Sequence, residues 1–216
     1  MNPYYEDAES GITIYHARCE DVLPSINPAT VDLLLTDPPY GLALDTDYSR
    51  LKGSTRTYAR IIGDEAPFDP APLLRFARLV LWGANHYASR LPDSPTWLVW
   101  DKRGDQMPNI FSDVEVAWTN LGGPARRFAH LWNVNRASER GYHVHPTQKP
   151  VALMQWIIER WTEPGDLILD PYMGSGPIAR ACQLASRKYI GIELVEDYCR
   201  IAVNRLAQSP LFAEAT

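Results

Sequence analysis

An acid, two prolines and a tyrosine stand in a row at Asp37-Pro38-Pro39-Tyr40, directly after the apolar run Val31-Asp32-Leu33-Leu34-Leu35-Thr36. These residue types suit the gripping of a planar, conjugated amino group. The nitrogen of such a group is a poor nucleophile, because its lone pair is delocalised into the ring. Asp37 can accept one of its N–H hydrogen bonds and the Pro38 carbonyl the other. Proline has no N–H, so the turn offers acceptors without a competing donor. Two acceptors draw the nitrogen toward tetrahedral geometry and localise the lone pair for methylation. Tyr40 supplies a flat surface for the ring. An acid followed by Pro-Pro is also an ordinary turn, so the tetrapeptide needs a companion.

The companion lies far downstream. Leu167-Ile168-Leu169-Asp170 reads as a short strand, followed by Pro171-Tyr172-Met173-Gly174-Ser175-Gly176 and a helical pattern. A strand, a glycine-rich turn and a helix N-terminus form a cradle where backbone approaches a ligand closely. Lys188-Tyr189-Ile190-Gly191-Ile192-Glu193 is a second strand ending in an acid. Nucleotide-binding sheets place an acceptor for ribose hydroxyls roughly 20 residues after the first turn. The glycines are spaced GSG rather than G-x-G-x-x-G, which favours S-adenosylmethionine over a dinucleotide.

With both segments in view, the chain resembles the amino-methylating DNA methyltransferases of the permuted (beta) class, N6-adenine/N4-cytosine type, in which the catalytic tetrapeptide precedes the cofactor loop. The likeness runs from about Ile12 to Leu206. It includes His145-Pro146-Thr147-Gln148-Lys149-Pro150, Trp82-Gly83-Ala84-Asn85-His86, Trp97-Leu98-Val99-Trp100-Asp101-Lys102 and Phe111-Ser112-Asp113-Val114-Glu115-Val116-Ala117-Trp118. Several matches in one linear order are far more specific than any single one. The resemblance implies a Rossmann-like α/β fold and S-adenosylmethionine as methyl donor. The acceptor it implies is an exocyclic amine of double-stranded DNA, with adenine N6 preferred because the Asp form of the tetrapeptide goes more often with adenine. By the same resemblance Asp37, Pro38, Pro39 and Tyr40 are catalytic. Asp170, Pro171, Tyr172, Gly174, Gly176, Glu193, Leu194, Thr147, Lys149 and Asp37 hold the cofactor. The target nitrogen lies inside a duplex stack, so its base must be flipped out to reach Tyr40 and Asp37.

Two positions depart from the family pattern. The chain has His16-Ala17-Arg18-Cys19 where the family carries Gly-Asp, so Arg18 replaces the acid that meets the cofactor's adenine amine. Pro177 replaces a threonine after Gly176, a change that the first turn of a helix tolerates.

The 216 residues are expected to form one catalytic domain (1–216), with a short recognition insertion at about 119–144. A hydrophobic share of 45% with 22% charged residues is ordinary for a globular protein. No stretch is long and apolar enough for a membrane span, and the first residues do not read as a signal peptide. Cys19, Cys182 and Cys199 lack paired metal spacing and read as reduced thiols of a cytoplasmic protein. His143 and His145 have no further ligand to complete a metal set. The net charge of −5 does not favour nucleic-acid binding, but such binding depends on local basic surface. Arg50, Lys52, Arg56 and Arg60 form one basic cluster, and Arg126, Arg127, Arg136 and Arg140 another. We assign Arg50, Lys52, Arg56, Arg60, Arg126 and Arg127 to DNA; the plain reading of both clusters is solvated loop.

The elements that must position these groups follow from periodicity. Strands are expected at Ile12–Tyr15, Val31–Thr36, Leu79–Trp82, Thr96–Trp100, Val114–Trp118, Leu167–Asp170 and Lys188–Glu193. Helices are expected at Cys19–Ile26, Pro70–Arg78, Asn85–Ser89, Pro150–Trp161, Ile178–Ser186 and Val195–Leu206. Asp45–Ile62 reads as a mobile loop and Asn120–Val144 as irregular. Alternating strands and helices mean a mostly parallel twisted sheet with helices on both faces. Of the seven tryptophans, six fall in expected elements and read as core, while Trp132 could stack on a base. Three other readings stay open: an N4-cytosine enzyme, a methyltransferase of RNA or protein amines, and a silent DNA-binding subunit. The last draws its support from Arg18. A homodimer is also left open.

Overall fold

The strand that leads into Asp37 is sealed from water: Leu33, Leu34, Leu35 and Thr36 are each 0% exposed in the computed structural model. The structure describes residues 2–43, 62–104, 112–131 and 148–208. The chain first forms β1 (Tyr5–Asp7), β2 (Ile12–His16), the short helix α1 (Cys19–Val22) and β3 (Leu33–Thr36). Then come β4 (Leu79–Trp82), β5 (Trp97–Asp101), β6 (Val114–Thr119) and β7 (Arg126–Ala129). The chain continues through α2 (Val151–Trp161), β8 (Leu167–Asp170), α3 (Pro177–Leu184), β9 (Lys188–Glu193) and α4 (Glu196–Leu206). Two compact units result, Met1–Thr36 with Lys149–Thr216, and Asp37–Gln148.

In the first unit the strand order is β1-β2-β9-β8-β3. β2, β9, β8 and β3 run parallel, and β1 is antiparallel to β2. Parallel neighbours cannot be joined by a hairpin, and α3 provides the crossover between β8 and β9. A parallel strand buried on both faces reads as a continuous apolar run, as in Leu33-Leu34-Leu35. Each fully buried aliphatic side chain contributes roughly 1.5–3 kcal/mol. Helix α2 buries Leu153, Met154, Ile157 and Ile158, a single stripe at helical spacing, and lies against α3. Its C-terminal end is closed by Arg187, a buried cation. Arg187 Nη2 donates to the Thr162 carbonyl at 2.5 Å and its Nε to Thr162 Oγ1 at 3.1 Å. A cation there satisfies orphan carbonyls and complements the helix dipole.

In the second unit the order is β4-β6-β5-β7. β6 is antiparallel to both β4 and β5, while β5 and β7 are parallel. The sheet is therefore mixed, with its parallel character concentrated in the first unit. Of the six tryptophans expected in the core, Trp82, Trp100 and Trp118 are buried, whereas Trp97, Trp156 and Trp161 are only half-buried. Trp100 Nε1 donates to the His130 carbonyl at 3.0 Å, and Trp118 Nε1 to that of Pro92 at 2.9 Å.

Three expectations from the sequence need correction. Pro70–Arg78 is not a helix; it holds a 3-10 turn at Ala71–Leu73 followed by further turns. Leu73 and Phe76 are buried, one in the 3-10 turn and the other in the bends that follow it. Asn85–Ser89 is two separate 3-10 turns, Ala84–His86 and Ala88–Arg90. They part at Tyr87, whose buried hydroxyl donates to the Trp82 carbonyl at 2.6 Å and pulls the chain out of register. The stretch expected to be irregular contains β7, so Arg126 and Arg127 stand on a strand rather than a loop.

Candidate active site

The tetrapeptide folds onto itself. The Tyr40 hydroxyl donates to Asp37 Oδ1 at 2.5 Å. Burial, and then the nearby Asp37 carboxylate, push the Tyr40 hydroxyl well above its ordinary range, so it stays a protonated donor. The bond sets the Asp37 carboxylate and the Tyr40 ring side by side in one turn. The turn beyond Tyr40 is pinned by Asp64, a buried acid whose Oδ1 accepts from the backbone N–H of Gly41 at 2.8 Å and of Leu42 at 3.1 Å.

Gly83 and His86 complete the setting of the Tyr40 ring. Gly83 is left-handed at φ 68°, and an added Cβ would stand 1.9 Å from Cε1, 2.2 Å from Cζ and 2.4 Å from Cδ1 of Tyr40. The near equality of these distances puts that carbon over the ring, not beyond its rim. Glycine is needed here both for the backbone conformation and for the close approach. The exposed His86 ring stacks on Tyr40, centroids 5.1 Å apart and planes 18° from parallel.

The glycine-rich turn is built in the first unit. Asp170, 0% exposed, accepts from Thr36 Oγ1 at 2.7 Å, the Tyr172 N–H at 3.2 Å and the Tyr189 hydroxyl at 3.0 Å. It anchors the turn from behind and ties it to Thr36, the residue before Asp37. Glu193 holds the turn from the other side. Its Oε2 accepts from the Gly174 N–H at 2.8 Å and its Oε1 from that of Val195 at 2.7 Å. Burial raises the Glu193 carboxyl, and the N–H groups of Val195 and Gly174 oppose that rise. Each oxygen retains lone-pair capacity, the acceptor pair that nucleoside ribose hydroxyls require. Gly174 has a positive φ of 54°, and a Cβ there would meet no heavy atom within 4 Å, so the turn's backbone faces open space. Leu194 is an exposed apolar side chain next to Glu193, and Lys149 is buried. These features fit a nucleoside-bearing cofactor.

Arg18 pairs with Glu20 at 3.6 Å with both side chains largely exposed, a contact of little energetic weight. Arg126 and Arg127 are exposed, and Arg127 Nη2 lies 2.6 Å from Asp101 Oδ2. Arg50, Lys52, Arg56, Arg60, Trp132, Arg136, Arg140, His143, His145 and Thr147 lie outside the described residues, as does Asp45–Ile62 save its last residue. Among the described residues no group of three or more His, Cys, Asp or Glu could hold a metal ion, and no helix is long and apolar enough to cross a membrane. Sequence reading missed the parts played by Asp64, Gly83, His86, Thr36 and Tyr189. Only Gly83 and His86 carried a signal, inside the Trp82–His86 run.

Comparison with known proteins bears on the same segments. A family model described as DNA methylase (N6/N4 type) matches residues 83–204, more than half of the chain. The Type II methyltransferase M2.LlaDCHI of Lactococcus lactis subsp. cremoris is 26% identical over 255 residues, spanning 94% of this chain and 91% of that protein. The crystal structure of the M1.HpyAVI–SAM complex is 25% identical with a TM-score of 0.55, covering 91% of this chain and all of that one. The PvuII DNA methyltransferase, specific for cytosine N4, shares the fold at 16% identity and a TM-score of 0.65, over 97% of this chain and 90% of that one. With a self-bonded Asp-Pro-Pro-Tyr turn, a glycine-rich turn held by Glu193 and this family match, the chain belongs to the amino-methylating DNA methyltransferases.

Proposed function

We propose that this enzyme methylates the N6 amine of adenine in double-stranded DNA, with S-adenosylmethionine as donor. The observation that carries this reading is the Tyr40–Asp37 bond, which sets an acid acceptor beside an aromatic ring in one turn. The flipped base stacks on Tyr40, and its amine donates one N–H to Asp37 and one to the Pro38 carbonyl. The nitrogen lone pair forms the new bond to the methyl carbon as the sulfonium–methyl bond breaks, and the nitrogen then releases a proton to solvent. The cofactor, when bound, supplies an electrophilic methyl group; the protein supplies position and a dry site. Asp170, Pro171, Tyr172, Gly174, Gly176, Glu193 and Leu194, with Thr147 and Lys149, hold the cofactor. The family resemblance adds Asp37 to that set, with a minor share beside its main role on the acceptor amine.

The basic residues Arg50, Lys52, Arg56, Arg60, Arg126 and Arg127 meet the DNA backbone. We place this reaction in the cytoplasm. The Asp form of the tetrapeptide, which the family resemblance associates more often with adenine, favours adenine N6 over cytosine N4. The deciding experiment incubates the protein with labelled cofactor and duplex DNA and identifies the methylated nucleoside by mass spectrometry. N6-methyladenine is expected, and N4-methylcytosine would replace the base assignment. Asp37→Ala should abolish transfer, since removing an acceptor from a dry site costs about 3 kcal/mol or more in the barrier. Cofactor affinity should stay within a few-fold; near-normal turnover would sink the mechanism.

A further inference from the structure

We propose that His86 occupies the base-stacking face of Tyr40 in the DNA-free protein and leaves it when the target base arrives, so that His86 sets how readily a base is captured. This rests on the functional reading above and adds a residue to it. The imidazole lies 18° from parallel to the Tyr40 ring at a centroid distance of 5.1 Å, the offset arrangement that a stacked base would adopt. The two rings differ in freedom. Tyr40 is fixed by its hydroxyl bond to Asp37 and by the Gly83 backbone, which leaves no room for even a methyl group over the ring. His86 is exposed, at the end of a 3-10 turn of three residues. The imidazole is therefore the partner that can move. A purine offers a larger π surface than an imidazole, so the exchange favours the base. Until a base is present, the imidazole keeps the Tyr40 ring covered and in its working orientation.

Two variants and one spectroscopic readout test this, using the full chain, S-adenosylmethionine and mixed-sequence unmethylated duplex DNA made by PCR. His86→Ala removes the competitor, and KM for DNA should fall about 2- to 10-fold, the span of one aromatic pair. Any change in kcat should be smaller. His86→Trp strengthens the competitor and should raise KM. By NMR, the imidazole C–H resonances of His86 should carry a ring-current shift that Tyr40→Ala abolishes. The same shift should vanish in the parent when the duplex is added with S-adenosylhomocysteine. An unchanged or raised KM in His86→Ala overturns the inference, as does a ring-current shift that survives saturation with DNA. A parent that methylates no DNA overturns the functional reading instead, while the stack in the free protein would still be visible by NMR.

Discussion

Gly83→Ala should be among the most damaging single-methyl changes in this protein. The new carbon would stand 1.9 Å from Cε1 of Tyr40, where non-bonded carbons need about 3.5 Å. The backbone is held on both sides, by Gly83 N–H on the Val116 carbonyl at 3.0 Å and His86 N–H on the Gly83 carbonyl at 3.0 Å. The ring must move, and a shift of more than about 1 Å takes its hydroxyl out of hydrogen-bond range of Asp37. A hydrogen bond to a charged group contributes roughly 1.5–3 kcal/mol, an aromatic stack roughly 0.5–1.5, and left-handed alanine costs roughly 1–2. The sum is about 3–6.5 kcal/mol, a large part of the 5–15 kcal/mol typical of a folded domain. In urea titrations with a slope near 2 kcal/mol/M, the midpoint should fall by about 1.5–3 M. Methyl transfer should fall with it. Tyr40→Ala is the control, because without the ring the same glycine change costs only its backbone share, about 1–2 kcal/mol. If Gly83→Ala costs the same in both backgrounds, the ring is not what requires glycine and the reasoning is refuted.

Other expected outcomes concern the cofactor, the DNA and pH. Glu193→Ala and Gly174→Val should both weaken S-adenosylmethionine binding by calorimetry, the first through loss of the acceptor pair and the second by filling the open side of the turn; unchanged affinity in both would place the cofactor elsewhere. Neutralising Arg126 and Arg127 should reduce the slope of log affinity against log salt by about one for each phosphate that is no longer neutralised, and an unchanged slope would mark them as plain surface. Burial pushes the Cys182 thiol well above its ordinary range and, with the Glu193 charge, Cys199 to about 12. Both thiols stay protonated in the folded chain, so the stability they lend is fully present below the unfolded thiol value near 8.5 and is lost as pH rises. Denaturant midpoints should therefore drop steadily above about pH 9, by up to about 1.4 kcal/mol per pH unit for each thiol; a flat profile to about pH 11 would contradict their burial as protonated groups.

The first unit was legible in the sequence because its signals are local and repeated. Val31–Thr36, Leu167–Asp170 and Lys188–Glu193 are apolar runs closed by polar residues, and α2 shows its buried stripe directly. β1 and β7 leave no such signal, because Tyr5-Glu6-Asp7 and Arg126-Arg127-Phe128-Ala129 have half-exposed or exposed side chains and no alternation. At Pro70–Arg78 the sequence suggests a helix, but only Ala71–Leu73 forms a 3-10 turn, and Leu74–Arg78 runs on as turn and bend into β4. The tetrapeptide announced itself, but its supports did not. Asp64 acts through two backbone N–H groups, a relation without a sequence spacing, and the Trp82–His86 run marks His86 without revealing its ring contact.

The discontinuous first unit has a consequence for how the protein comes into being. Thr36 and Asp170, joined by a hydrogen bond, are 134 residues apart in the chain, and the His16 ring and the Leu194 carbonyl, also bonded, are 178 apart. A ribosome releasing about 5–20 residues per second therefore exposes β2 and β3 for several seconds or more before β8 and β9 exist to flank them. During that interval Leu33-Leu34-Leu35 lacks its β8 partner, and that edge is open to association with other nascent chains. Long-range parallel pairing is also intrinsically slow to form. Yield of soluble protein should thus respond more to chaperone supply during synthesis than to any stabilising change within the finished fold.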